Sequence, residues 1–381
     1  MLMRLMSATD RTRFDADVIS MMTIGTTGER IREMGFPVRS LDLSRSFPNP
    51  AAFFRIVAWL RRDPPDVLAT WMYHANFLGS LAASFAGGIP VVWGLHHGHI
   101  DAFERRRTHL IARLCGRMSH RMAAKVICCS RHTLDEHVLL GYDPAKMVVI
   151  RNGFDLTVFR PDRSARSQVR RQLEIEENAP VLFLAGRFHP QKDYPNFVAA
   201  AALVHRRMPA ARFVLCGHGV TWENQALASW IDAAGLRESF RLLGPRQDVP
   251  QLLNASDLAC SSSFGEGFSL TIGEAMSCGV PCVVTDVGDS AFEVGRTGQV
   301  VPRSDPEALA AACVELLEMP AEQRLNLGRR ARRRIEDNFE LSQVTAQYQE
   351  LYESVALDAK GWDTGDRVPG AGLRQKSEIL R

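Results

Sequence analysis

Long apolar runs are missing from this sequence. No stretch of about 18 consecutive apolar residues occurs, so no membrane-spanning helix is expected. The opening MLMRLMSATDRTRF breaks its apolar residues with Arg4 and lacks the h-region of a secretory signal. A soluble or peripherally membrane-bound protein is the expectation. A dominant charge is missing as well: 46 Lys and Arg against 43 Asp and Glu leave a formal net charge of +3, with both signs interleaved, so nucleic acid is not the expected partner. Lysine itself is scarce, with 5 against 41 arginines, which draws attention to each one. The 8 cysteines form no CxxC pair and no disulfide-like cluster, consistent with a reducing cytoplasm. Cys278 and Cys282 have no nearby His or second pair to complete a zinc set, so they read as core residues and no metal site is expected.

What is present is a rhythm. The 381 residues, 46% hydrophobic, suffice for two α/β domains. Short β-branched runs (VISMM, PVRSLDL, DVLATW, PVVWGLH, KVICCS, MVVIRNG) alternate with helix-length amphipathic stretches, the pattern of βαβ units and a parallel sheet. After the charged stretch PDRSARSQVRRQLEIEENA the rhythm restarts with VLFLAG, RFVLCG, FRLLG, LACSSS and PCVVTD. Two doubly wound domains, 1–163 and 164–340, follow from this, then a helix over 341–358 and a tail, 359–381, with turn residues and no period that reads as flexible. No strand with a Gly-rich turn precedes VISMM, so the first domain is expected to lack its opening strand.

The chemistry concentrates in SSFGEGFSLTIGEAMSCGVPCVVTD, which reads as strand end, glycine-flexed loop, helix and next strand, with Ser269 as N-cap and Gly279 as terminator. The backbone N–H groups of Gly267, Phe268, Ser269 and Leu270 would face an anion at a helix N-terminus. Glu266 and Glu274 stand eight apart. Taken alone they are ordinary solvated charges; beside a phosphate site, acceptor-only carboxylates make sense where they hold neutral hydroxyls, so a ligand with phosphates and sugars is implied. In AGRFHPQKDYPN a strand ends at Gly186, and Arg187 and Lys192 follow. The plain alternative is two surface charges at a turn; together they would neutralise a diphosphate leaving group without Mg²⁺. LCGHGVTWEN holds a lone G-x-G, with Trp222 where a third glycine would be needed, which argues against a dehydrogenase.

GEGFSLTIGEAM with its E-x7-E spacing, together with GRFHPQKD, RNGFDLTVFRP and TDVGD, resembles the retaining family 4 glycosyltransferases. The likeness runs from VISMM to the helix ending near Leu357, with WMYHANFLGSLAA and LLGPRQDVPQLLNASDLACSSS in order. It implies the GT-B fold, two Rossmann-like domains facing across a cleft: an N-terminal acceptor-side domain, a C-terminal nucleotide-sugar domain, and the 341–358 helix packing back toward the former. It implies that Arg187 and Lys192, with Gly186, bind the donor diphosphate. Glu274 would take the ribose hydroxyls and Glu266 the transferred sugar, and the amides of Gly267, Phe268, Ser269 and Leu270 would cradle phosphate. Arg246 and its loop to Val249 would border the base, Asn152 and Gly153 would lie at the cleft, and His97, of the three candidates His96, His97 and His99, would approach the sugar. Catalytic roles fall to Glu266, Arg187, Lys192 and His97. Transfer would retain anomeric configuration, with no metal and no cofactor beyond the nucleotide-sugar.

The implied substrates are a nucleotide-sugar, expected to carry UDP or GDP, and a glycan or lipid-linked acceptor, in surface polysaccharide biosynthesis. Two other readings stand beside this one: a non-catalytic subunit that binds sugar nucleotides, and a nucleotide-sugar epimerase. Finally, FERRRTHLIARLCGRMSHRM places Phe103, Leu110, Ile111, Leu114 and Met118 on one helix side among arginines, a surface that would rest on anionic lipid at the inner face of the membrane or simply be an Arg-rich surface helix.

Overall fold

The computed structural model describes residues 1–43, 50–98, 106–361 and 378–380. Its strands are Val18–Ser20 (β1), Val38–Ser40 (β2), Leu68–Trp71 (β3), Val91–Leu95 (β4), Lys125–Cys128 (β5), Met147–Val149 (β6), Val181–Ala185 (β7), Arg212–Cys216 (β8), Phe240–Leu242 (β9), Leu258–Ser261 (β10), Cys282–Thr285 (β11), Gln299–Val301 (β12) and Glu378–Leu380 (β13). The helices are Leu2–Ala8 (α1), Gly25–Glu33 (α2), Pro50–Arg62 (α3), Tyr73–Phe85 (α4), Arg106–Met122 (α5), Arg131–Leu139 (α6), Arg163–Gln172 (α7), Tyr194–Arg207 (α8), Gln225–Ala233 (α9), Val249–Asn254 (α10), Leu270–Ser277 (α11), Ser290–Val294 (α12), Pro306–Glu318 (α13), Ala321–Asn338 (α14) and Leu341–Ala359 (α15). The chain divides into two units, Met1–Gly153 with Leu341–Arg381, and Phe154–Glu340.

The first unit is a parallel sheet in the order β2-β1-β13-β3-β4-β5-β6. Alternate residues of its strands serve opposite faces, as in any sheet covered on both sides. Ile19, Leu68, Val91, Trp93 and Val126 pack with α3 and α4, while Val18, Ala69, Val92 and Ile127 meet Leu5 of α1 and Tyr348 and Tyr352 of α15. The place between β1 and β3 is held by β13, whose Glu378 pairs with Val18 on one side and Ala69 on the other. Part of the stretch expected to be flexible is thus a strand; a position inside a sheet satisfies its backbone groups on both edges. The expected boundary after residue 163 moves to Gly153, because the Phe154 amide donates to the Phe339 carbonyl at 2.9 Å and Phe154 bridges Glu340.

The second unit is a parallel sheet in the order β12-β11-β10-β7-β8-β9. Its chain starts at β7, moves outward through β8 and β9, then crosses to β10 on the other side of β7. The order therefore reverses between β7 and β10, and a crevice opens at the carboxyl ends of such neighbours. One face is covered by Phe197, Ala201 and Val204 of α8 and by Leu309 and Leu316 of α13, over Leu182, Leu184, Phe213 and Leu215. The opposite end of β7 and β10 is tied by Arg170, fully buried, which donates to Asp257 at 2.8 Å and to the carbonyls of Ala255, Glu176, Glu177 and Ala179.

The carboxyl ends of β7, β8 and β9 are laced together: the Gly186 amide donates to the Cys216 carbonyl at 2.9 Å, and the Gly217 amide to the Gly244 carbonyl at 2.8 Å. This explains the G-x-G of LCGHG. Gly217 has φ +146°, and a side chain there would overlap the Gly186 carbonyl oxygen. Gly217→Ala is expected to cost about 3 kcal/mol of stability, because strain and backbone overlap combine; a melting curve matching the wild type would contradict this account of the edge.

Candidate active site

Every residue expected in the donor site of the second unit hangs from the carboxyl edge of its sheet. Gly186 follows β7, with Arg187 exposed beyond it and carrying no ion pair among the described residues. The turn Pro190–Lys192 is capped by His189 and ends at Asp193, whose left-handed backbone (φ +45°) starts α8 and whose side chain accepts the Asn196 amide. This tight reversal folds Lys192 back over Gly186, its Cε 3.2 Å from where a Gly186 side chain would begin. The Lys192 ammonium then meets Glu266 at 2.5 Å.

Across the switch point, β10 runs into Ser262, Ser263 and the glycine loop. Ser262 Oγ donates to the Lys192 carbonyl at 2.8 Å, and the Phe264 amide to the Gln191 carbonyl at 2.7 Å, so the two loops are stitched. Ser263 Oγ donates to Glu266 Oε1 at 2.7 Å, the same oxygen that takes Lys192. The Ser263 carbonyl is held by Thr285 Oγ1 at 2.6 Å. One oxygen of Glu266 is thus occupied by two donors, leaving Oε2 as the oxygen available to a ligand hydroxyl.

Glu274 lies in the second turn of α11 and is buried. Arg246 is bound by both its Nε and Nη2 to the Asp248 carboxylate, at 2.7 and 2.5 Å. These groups converge on the Cys216 thiol, which burial first, then Glu274 and Asp248, push up to about 12, with Arg246 opposing.

Of the four loop amides, that of Ser269 departs from the expectation. Ser269 stands at the N-cap of α11, but its side chain makes no capping hydrogen bond. Its amide donates instead to Glu293 Oε2 at 3.2 Å, so an internal carboxyl, not a ligand, takes that donor. The Gly267 carbonyl accepts the Asp289 amide at 3.0 Å. Phe268 is buried, its ring 5.3 Å from that of Phe339 and 6.3 Å from that of Phe154, while Leu270 opens the helix. Ser263 and Glu293 were not singled out from the sequence. The S-x-x-E spacing of Ser263 and Glu266 was there to be read; Glu293 gives no local signal.

In the first unit, His97 follows β4 and is half-buried. His96 stacks on Trp71 at 4.5 Å between ring centroids, and burial pushes its imidazole down to about 3, so it is neutral at working pH. Asn152 is buried and faces His96. Gly153 packs against Leu341 at the start of α15 and its carbonyl accepts from Arg4 Nη1 at 3.2 Å. His99 and Phe103 lie outside the described residues. All 8 cysteines are buried and free, and among the described residues no three of His, Cys, Asp and Glu gather as a metal site.

Two sequence profiles match the chain: one described as Glycosyltransferase Family 4 over residues 1–158, and one described as Glycosyl transferases group 1 over residues 179–319. The chain belongs to the family 4 glycosyltransferases. Among its relatives in this family is the Escherichia coli protein named UDP-Gal:alpha-D-GlcNAc-diphosphoundecaprenol alpha-1,3-galactosyltransferase, 26% identical over 328 residues, which are 84% of this chain and 82% of that one. The D-inositol 3-phosphate glycosyltransferase of Kineococcus radiotolerans is 30% identical over 298 residues, 73% of this chain and 64% of that one. The crystal structure of Anabaena HepE in complex with UDP and glucose superposes with a TM-score of 0.81 at 23% identity, covering 93% of this glycosyltransferase and 95% of that chain. The fold is thus that of the GT-B glycosyltransferases, with two Rossmann-like domains.

The hydroxyl of Ser263 fixes which oxygen of Glu266 faces outward. Ser263→Ala is expected to lower kcat/KM about tenfold, the loss of one hydrogen bond to a charged group, and Ser263→Thr to restore most of it. Equal kinetics for Ser263→Ala and the wild type would remove Ser263 from the site.

Proposed function

We propose that this glycosyltransferase transfers a sugar, with retention of anomeric configuration and without a metal, from a UDP- or GDP-sugar to a glycan or lipid-linked acceptor in surface polysaccharide biosynthesis. The observation that carries the reading is the Lys192–Glu266 pair, fixed by Ser263 at the switch point, with Arg187 exposed after β7 and Glu274 in the second turn of α11. A diphosphate between Arg187 and Lys192 has two cations to meet the charge that develops as the sugar leaves. Glu266 Oε2 accepts from a hydroxyl of that sugar, and Glu274 accepts from the ribose. The leaving phosphate oxygen takes the acceptor proton, so no protein base is required, and His97 binds a sugar hydroxyl. The names of the Escherichia coli relative, with its UDP-Gal and diphosphoundecaprenol, and of the Anabaena complex support a uridine nucleotide and a lipid-linked acceptor.

The reading is tested by following nucleoside diphosphate release from a panel of UDP- and GDP-sugars without added metal, with Glu274→Ala as control. Release is expected with at least one donor, and the substitution is expected to reduce kcat/KM about 100-fold or more. Isomerised donor without acceptor would favour an epimerase; binding without turnover under any acceptor would favour a non-catalytic subunit.

A nucleotide-sugar donor together with a lipid-linked acceptor would put the reaction at the inner face of a membrane. Among the described residues no helix is long and apolar enough to cross one. The inward side of α5 carries Thr108, Ala112, Cys115 and Ser119, and Ile111 and Met118 pack partly against the core, so the expected continuous apolar side is split. Leu110 and Leu114 are left exposed, at 69% and 40%, beside the exposed Arg107, Arg113 and Arg117. That arrangement suits shallow contact with anionic lipid. Flotation with phosphatidylglycerol vesicles is expected at low salt and lost in a Leu110→Glu, Leu114→Glu variant; no flotation above that with neutral vesicles would dispose of the contact.

A further inference from the structure

Glu293 is a buried carboxyl that the proposed mechanism does not use. It lies on α12 and is 0% exposed. Oε2 accepts the Ser269 amide at 3.2 Å, and the Gly273 amide also lies against the carboxyl. Burial, with the nearby carboxyls of Glu266 and Asp289 adding to it against the Ser269 and Gly273 amides, pushes this carboxyl well above its usual range. A fully buried carboxyl costs stability, and hydrophobic packing would cost less at a site with only a structural role.

The position of Glu293 gives it something to do. The segment from Gly288 to Glu293 touches the glycine loop at three successive places. Gly288, with φ +57°, lies against the Glu266 carbonyl with no room for a side chain. The Asp289 amide holds the Gly267 carbonyl, and Glu293 holds the Ser269 amide. From the other side Arg334 fixes the segment, its Nε donating to the Glu293 carbonyl at 2.9 Å and its Nη2 to that of Phe292. The segment is a splint along residues 266–269, and Glu293 contributes a side-chain hydrogen bond to the loop backbone.

We propose that Glu293 is a positioning residue for donor binding: by accepting the Ser269 amide it sets the path of Gly267 to Leu270, and with it the spacing of Glu266 from Glu274. The inference rests on the donor reading above. An ionised carboxylate at the same place would offset the positive end of α11 and repel a diphosphate. A neutral one meets the amide and leaves the field of the helix to the ligand.

The test compares Glu293→Gln, which keeps a neutral acceptor of the same shape, with Glu293→Ala, which removes it, and Glu293→Asp, which withdraws it by one methylene. UDP and GDP binding is measured by calorimetry for each full-length chain, with melting temperature and, for the donor found by the release assay, kcat and KM separately. The expected result is binding within threefold of wild type for Glu293→Gln, and at least tenfold weaker binding and higher donor KM for Glu293→Ala and Glu293→Asp, with kcat changed less than KM. Glu293→Ala binding as wild type does would overturn the proposal, as would Glu293→Gln binding as poorly as Glu293→Ala. If Glu293→Ala fails to fold, Glu293→Gln against Glu293→Asp decides by the same criteria. Failure of the wild type itself to bind either nucleotide would instead sink the donor reading, a result distinct from wild-type binding that is indifferent to Glu293.

Discussion

A carboxylate can stand beside an anion site only if something else holds its charge. At the switch point of the second unit that task falls to Lys192, whose ammonium meets Glu266 Oε1 while Ser263 fills the remaining direction on the same oxygen. Much of the local architecture serves this one contact. The turn at Asp193 aims the lysine, the absence of a side chain at Gly186 gives its methylenes room, and Ser262 and Phe264 tie the lysine loop to the glutamate loop.

The same logic accounts for the division of labour among the acids of this glycosyltransferase. Glu266 is paired with a cation, Glu274 is buried in the second turn of α11, and Glu293 is buried against the loop, where it accepts the Ser269 amide. Three environments hold one residue type in three different ways. Asp248 adds a fourth case, spent on orienting Arg246 through two hydrogen bonds.

Much of this was legible in the sequence because it is local. The strand rhythm placed β1 to β11, and the run from Gly186 to Lys192 and the eight-residue interval from Glu266 to Glu274 each lie within one connection and its flanking element. What was not legible is tertiary. Ser269 is the N-cap of α11, as its residue type suggests, but its own amide is held by Glu293, 24 residues on, whose place depends on α12 folding against the loop. The strands Gln299–Val301 and Glu378–Leu380 were not singled out in the sequence, and each is placed by the neighbour it finds, Val283–Thr285 for the first and Val18–Ser20 for the second. On α5 the apolar residues read as one side, but the small residues Ala112, Cys115 and Ser119 allow the closest approach and turn that side inward, leaving two leucines out. Residue size, not only hydropathy, chose the buried side.

The first unit is assembled from both ends of the chain, since β1 pairs Ser20 with Leu380 and α15 packs Tyr348 and Tyr352 onto the sheet begun by Val18. Synthesis delivers these pieces with the whole of residues 154–340 between them. The second unit is contiguous and has all its strands as soon as Glu340 leaves the ribosome, whereas the first waits with an uncovered sheet face until the last segment arrives. While residues 154–340 are being made, the sheet face that α15 comes to cover is therefore bare, the interval in which a chaperone has the most to cover.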